Sequence, residues 1–225
     1  VDFPPDTYMH KLNYDLDLSK VKHIFITHSH SDHYYPQDFE MRCDVFSHVY
    51  DKQPLTVYGN EKVMKGFNNV LAGVSNYESR VVFNLLRPYD YYDAGRARIM
   101  PLLADHDKRE NCFIYIIEID GRVLLYGHDS GYYSEQTWEE ILKHKFDGVI
   151  LDCTMGNSKE HRGHMGIIAD GEIKERMLQN NAADSNTKFI ITHFSHNNGL
   201  LHEDIEKMAE PYGFIVAYDG FEIEI

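Results

Sequence analysis

The sequence predicts an α/β protein, and three observations predict it. Short apolar runs of strand length recur along the chain. Helical patterns alternate with the later runs. Histidine and aspartate gather directly after several of the runs. Strands first in series and then alternating with helices are the mark of α/β architecture. The 225 residues are enough for one large core, and no linker, repeat or low-complexity tract divides them, so residues 1–225 read as a single domain.

Taken in order, the strand-like runs are 23–27, 55–58, 80–86, 97–103, 112–119, 122–126, 148–151, 188–192, 214–218 and 222–225. Asp120-Gly121 between the fifth and sixth is a two-residue hairpin signal. Helices are expected over 61–69; after Ser134, a capping residue, with Trp138, Ile141 and Leu142 on one face; over 166–180, with Ile173, Met177 and Leu178 on one side; and over 202–210, where Pro211 stops the pattern. Residues 36–53, rich in aromatic side chains and charge, read as a loop over a site.

The formal net charge is −14, and no cluster of Lys and Arg stands out. A nucleic-acid partner would be met by a basic stripe, so none is expected and a small substrate is favoured. No apolar run reaches the roughly 18 residues of a membrane helix. Cys43, Cys112 and Cys153 are far apart and odd in number, which reads as a reduced, cytoplasmic chain without a disulfide framework; Cys112 and Cys153, in apolar runs, read as buried, inert thiols. A homodimer is the default expectation by base rate.

The stretch FITHSHSDHYYP carries His28, His30, Asp32 and His33 directly after an apolar strand. Each is poor core material. Imidazole nitrogen and carboxylate oxygen together suit Zn²⁺, and also Mn²⁺ or Fe²⁺. His33 breaks the alternation of the other three, so the loop can serve two points about 3.5–4 Å apart, the spacing of two-metal sites. Four ligands are too few for two ions. His106, Asp129 and His193 each follow an apolar run in the same way and complete a set of five His and two Asp.

The ordered set His28-x-His30-x-Asp32-His33, His106, Asp129 and His193 resembles the metallo-β-lactamase superfamily. The resemblance implies a four-layer αββα sandwich with a dinuclear site. It implies His28, His30 and His106 on one ion, Asp32, His33 and His193 on the other, and Asp129 bridging. THFSH, GHM at 163–165 and the ending PYGFIVAYDGFEIEI are similar to the PhnP-like phosphodiesterase and ribonuclease Z branch. In that branch a histidine that is not a ligand faces the scissile phosphate, and His164 matches it. PhnP-like enzymes act on cyclic phosphoribosyl phosphodiesters. Family members begin with a strand hairpin before the equivalent of VDFPP, and no counterpart is present here, so the expectation is a first sheet without that hairpin. His196 matches a histidine that joins N-terminal cysteines on a structural zinc in PhnP, and it is not counted among the catalytic ligands.

The resemblance implies a small, cyclic phosphoribosyl-type phosphodiester as substrate, and the residue chemistry fits hydrolysis of a phosphodiester. A hydroxide bridging two metals would supply the nucleophile, with Asp32 beside it, and the metals would neutralise oxygen charge. An unligated His164 would act as general acid or phosphate-binding group. His128 is expected to point away from the ions and at most to support a ligand from behind, and His161 either lines the pocket or lies on the surface. Asp2, Asp105 and Asp152 are candidates to orient ligand histidines. The loops 34–51 and 157–162 would read the substrate. The alternatives are a tRNA 3′-end endonuclease, a thioesterase or lactonase, a PQQ-biosynthesis relative, and a non-catalytic ligand-binding protein on the same fold.

Overall fold

A computed structural model describes residues 1–48 and 53–225. Part of the loop predicted over 36–53, residues 49–52, lies outside the described residues. Backbone contacts divide the chain into two compact units, Val1–Arg87 and Pro88–Ile225.

The first unit holds a three-stranded parallel sheet in the order β1 (His23–Phe25), β2 (Leu55–Gly59), β3 (Val81–Leu85). Its helices are α1 (Thr7–Asn13) and α2 (Glu61–Leu71). Asn60 starts α2, its side-chain oxygen accepting the amides of Lys62 and Val63 at 2.8 and 2.9 Å. Val63, Phe67 and Leu71 recur at the i, i+4 spacing and form one core with Ile24, Ile26, Leu55, Val57 and Val81. Residues 36–42, expected as loop, form a 3-10 helix that buries Phe39. α1 was not expected. It buries no side chain, so no apolar period announces it, and Tyr8, Met9 and Leu12 stay exposed.

The second unit carries a seven-stranded mixed sheet. Its strands are β4 (Tyr92–Ala94), β5 (Ala97–Leu103), β6 (Phe113–Ile119), β7 (Arg122–Gly127), β8 (Gly148–Asp152), β9 (Lys188–Thr192) and β10 (Ile215–Val216), hydrogen-bonded in consecutive order. Pairing is antiparallel from β4 to β7 and parallel from β7 to β10. Parallel neighbours need crossovers. The chain supplies α3 (Glu135–Ile141), α4 (Ile167–Gln179) and α5 (His202–Ala209) in turn. Asp120 and Gly121 take φ of 52° and 80°, which gives the expected tight hairpin between β6 and β7. Ser134 caps α3 by accepting the Thr137 amide. Trp138, Ile141, Ile173, Met177, Leu125, Val149 and Ile191 share the core.

Two details of the second unit differ from expectation. β4 is only three residues long and half-exposed, too short for a period-2 signal. Residues 222–225 form no strand; Ile225 instead packs its side chain against Gly148, where a Cβ would lie 2.5 Å from Ile225 Cδ1. Among the described residues, no helix is long and apolar enough to cross a membrane. All three cysteines are buried, and burial pushes the Cys112 thiol up to about 12, so it is not a nucleophile at neutral pH.

Candidate metal centre

In the first unit the cluster begins three residues beyond β1. Ile26 and Thr27 are buried, and the chain then turns, the His30 carbonyl accepting the amides of both His33 and Tyr34. That turn is why His33 departs from the alternation of His28, His30 and Asp32. The ring of His28 lies 4.3 Å from that of His30 and 4.4 Å from that of His33. Asp32 is exposed, and one of its oxygens lies 3.6 Å from His33 Nε2.

Asp2 supports this loop. His33 Nδ1 donates to its carboxylate at 2.8 Å. The amide and hydroxyl of Thr27 donate to the same carboxylate, at 2.7 and about 3.0 Å. With its proton given to Asp2, the Thr27 hydroxyl is an acceptor for His28 Nδ1, 3.0 Å away. Both rings therefore carry their proton on Nδ1 and present the Nε2 lone pair, as a metal-binding imidazole does.

In the second unit three strand ends carry candidate ligands. His106 follows β5, Asp129 follows β7 and His193 follows β9. His106 Nδ1 donates to the Gly163 carbonyl at 2.8 Å. His193 Nδ1 faces the Thr154 hydroxyl at 2.7 Å, and that hydroxyl donates to the His193 carbonyl. Again each ring presents Nε2. One Asp129 oxygen lies 2.9 Å from His193 Nε2 and the other 3.7 Å from His106 Nε2. Asp129 and His193 both take left-handed backbone, φ 56° and 60°. Non-glycine residues rarely do, and they do so most often where a site holds them.

His164 stands beside these groups. Its Nδ1 donates to Asp152 at 2.7 Å, and its ring lies 4.7 Å from that of His106 and 5.7 Å from that of His193. Asp152 is fully buried and also accepts the amides of Ser130 and Thr154. Ligand atoms of Asp129, Asp152, His164 and His193 lie within 4.8 Å of one another, so the four could also close on a cation. The oxygens of Asp152 are already engaged by three donors, which makes it the support of His164 before it is a ligand.

Other candidates fall elsewhere. Asp105 pairs with Lys108 and orients no ligand histidine. The ring of His128 does not point away. It is buried and stacks on His193 with centroids 5.5 Å apart, because the left-handed turn at Asp129 ends the strand alternation. His161 is half-buried and donates through both nitrogens, to the Lys159 carbonyl and to Glu172, whose carboxylate raises its pKa. His196 is exposed on a 3-10 turn. Sequence reasoning passed over Thr27, Thr154 and Gly163. A hydroxyl directly before His28, in ITHSH, was the one local signal among them.

No sequence among curated proteins matches the chain. Solved structures do. A diphosphatase of the PhnP family superposes with a TM-score of 0.74 at 22% identity, over 100% of this chain and 78% of its own. YhfI from Bacillus subtilis gives 0.72 at 19%, over 98% and 84%. The short form of human tRNase Z gives 0.61 at 18%, over 87% and 81%. At such identities the likeness is one of fold, the metallo-β-lactamase fold. The profile of the beta-lactamase superfamily domain matches residues 5–194, a span that takes in every candidate ligand from His28 to His193, and the chain belongs to that superfamily.

Proposed function

We propose that the protein is a metal-dependent phosphodiesterase of the PhnP-like branch, acting on a small, compact phosphodiester. His28, His30, Asp32, His33, His106, Asp129 and His193 would hold two divalent ions, with Zn²⁺ the first choice and Mn²⁺ or Fe²⁺ alternatives. The donor set fits the ions. Four ring nitrogens, Nδ1 of His28, His33, His106 and His193, are turned to oxygen acceptors, so four Nε2 lone pairs remain for coordination. Asp129 offers one oxygen on the His106 side and one on the His193 side, which supports a bridging role. When bound, the ions supply Lewis acidity, lowering the pKa of water and neutralising charge on phosphoryl oxygens.

The single observation that carries the phosphodiester reading is the His164–Asp152 pair. A thioester releases a thiolate, a good leaving group, and needs no acid. An alkoxide leaving from phosphorus needs a proton. His164 is held by the buried Asp152 through Nδ1, so the proton available to a substrate is the one on Nε2 of the imidazolium. Asp152 stabilises that imidazolium and fixes the ring plane. The small-substrate reading rests on the net charge of −14, against which a long polyanion would have to dock.

The test is hydrolysis of bis(p-nitrophenyl) phosphate by protein loaded in turn with Zn²⁺ and Mn²⁺. The Asp129→Ala protein serves as the blank. Turnover that disappears in the blank supports the reading. Absence of turnover with metals bound returns the weight to thioester or lactone hydrolysis, or to ligand binding without catalysis.

A further inference from the structure

The chain that leaves β9 through His193 turns back onto the residue that supports His193. The ring rests through Nδ1 on the Thr154 hydroxyl, and that hydroxyl donates to the His193 carbonyl. The ring is therefore aimed only as firmly as Thr154 is placed. Thr154 lies two residues beyond β8, where the ladder no longer holds it. Its amide is tied to Asp152 Oδ1 at 2.8 Å. Its carbonyl accepts from Asn198 Nδ2 at 3.2 Å.

Asn198 is built into this position. Its Oδ1 accepts the Leu200 amide at 2.9 Å. An acceptor taken up in that way leaves the Nδ2 donor for Thr154, so the hydrogen bonds fix which way the side-chain amide faces. Opposite it Gly156 takes φ 54°, and a Cβ there would stand 2.7 Å from Leu200 Cδ1 and 2.8 Å from Asn198 Nδ2. Glycine at 156 lets residues 198–200 close on 154–156. The contacts form a circuit: from His193 along the loop to Asn198, across to Thr154, and back to the His193 ring.

We propose that Asn198 is a positioning residue for the metal centre. By holding the Thr154 carbonyl it places the hydroxyl that aims His193 Nε2 at an ion. It acts through Thr154 and touches neither ion nor substrate. This rests on the metal-centre part of the reading above and is independent of the substrate.

The experiment is competition for Zn²⁺ between a chelator and the full chain. Asn198→Asp keeps the size of the side chain and the acceptor for Leu200, but sets an oxygen against the Thr154 carbonyl. Its added negative charge would by itself favour a cation, so weaker binding has to come from the lost donor. Asn198→Asp should weaken Zn²⁺ binding by about 3–10-fold, the worth of one neutral hydrogen bond. Asn198→Ala, which removes the donor without adding charge, should do the same and carries the test if the aspartate variant does not fold. Asn197→Asp puts the same charge on the exposed neighbouring position and should not weaken binding. In a Thr154→Val background, which keeps the carbonyl and lacks the hydroxyl, Asn198→Asp should cost nothing further, since residues that act through one another are not additive. Unchanged affinity in both Asn198 variants, an equal loss in Asn197→Asp, or an undiminished cost in the Thr154→Val background would overturn the proposal, the last by making Asn198 a prop of the loop alone. Failure of the metal-centre reading shows separately, as wild-type protein that takes up no Zn²⁺.

Discussion

In Val1–Arg87 the candidate ligands lie within six consecutive residues, and two of them lean on one carboxylate. Asp2 holds His33 directly and reaches His28 through Thr27. In Pro88–Ile225 the ligands come from three separate strand ends, and each histidine has an acceptor of its own: the Gly163 carbonyl for His106, the Thr154 hydroxyl for His193, and Asp152 for His164. The first arrangement is compact and fails as a whole. The second is dispersed and fails one residue at a time. A support shared by two ligands costs more to remove than a support that serves one, even when both are single hydrogen-bonding groups.

The largest effect is expected at Asp129, whose two oxygens face two histidines. Asp129→Ala should lower the rate by about 10³-fold or more, since several kcal/mol of charge stabilisation go with a lost ion, and metal analysis should show reduced stoichiometry. His164→Ala comes next. It should keep its full metal content and lose about 10²–10⁴-fold in rate on a substrate with a poor leaving group. Loss of metal in that variant would make His164 a ligand and remove the acid from the scheme. The contrast between the units is sharpest in a third pair. Asp2→Ala should weaken metal affinity toward the upper end of the usual 10–100-fold range for groups that orient ligands, and Thr154→Val toward the lower end. If competition with a chelator ranks the two equally, the idea of a shared support is wrong.

The smallest expected effect is on stability. Asp170 on α4 is fully buried, neither oxygen has an N–H or O–H partner, and burial holds its pKa well above the ordinary carboxylate value, with the Asp152 charge adding to the shift. In the unfolded chain the same group ionises near pH 4. Unfolding therefore releases a proton above that pH, and this group's contribution to stability falls as pH rises from about 4 toward its folded pKa. Asp170→Asn removes the dependence. It should stabilise the protein at pH 7 by about 1–3 kcal/mol, seen as a raised thermal midpoint whose advantage shrinks on acidification. An advantage that persists unchanged at pH 4 would mean that Asp170 is charged in the fold.

What could be read from the sequence divides along the same line. The His28–His33 loop was legible because strand, turn and ligands are adjacent in the chain. His106, Asp129 and His193 were legible because each repeats one local pattern, an apolar strand and then a polar residue. Their supports were not. Thr154 lies 39 residues from His193 and Gly163 lies 57 from His106, and Gly163 acts through its carbonyl, which every residue has. The path of His128 was misjudged for a related reason: alternation along a strand holds only while the backbone stays extended, and at Asp129 it does not. α1 escaped notice because nothing in it is buried.

The left-handed backbone at Asp129 and His193 bears on how variants of this protein would be sorted. In a saturation library at either position, screened for folding alone and in the absence of metal, the survivors should already be enriched in glycine, asparagine, aspartate and histidine, because β-branched and bulky side chains resist that conformation. Tolerance at these two positions would then report the turn before it reports the chemistry. A screen for function would need the comparison within that short list, aspartate against asparagine at 129 and histidine against asparagine at 193, to see the metal at all.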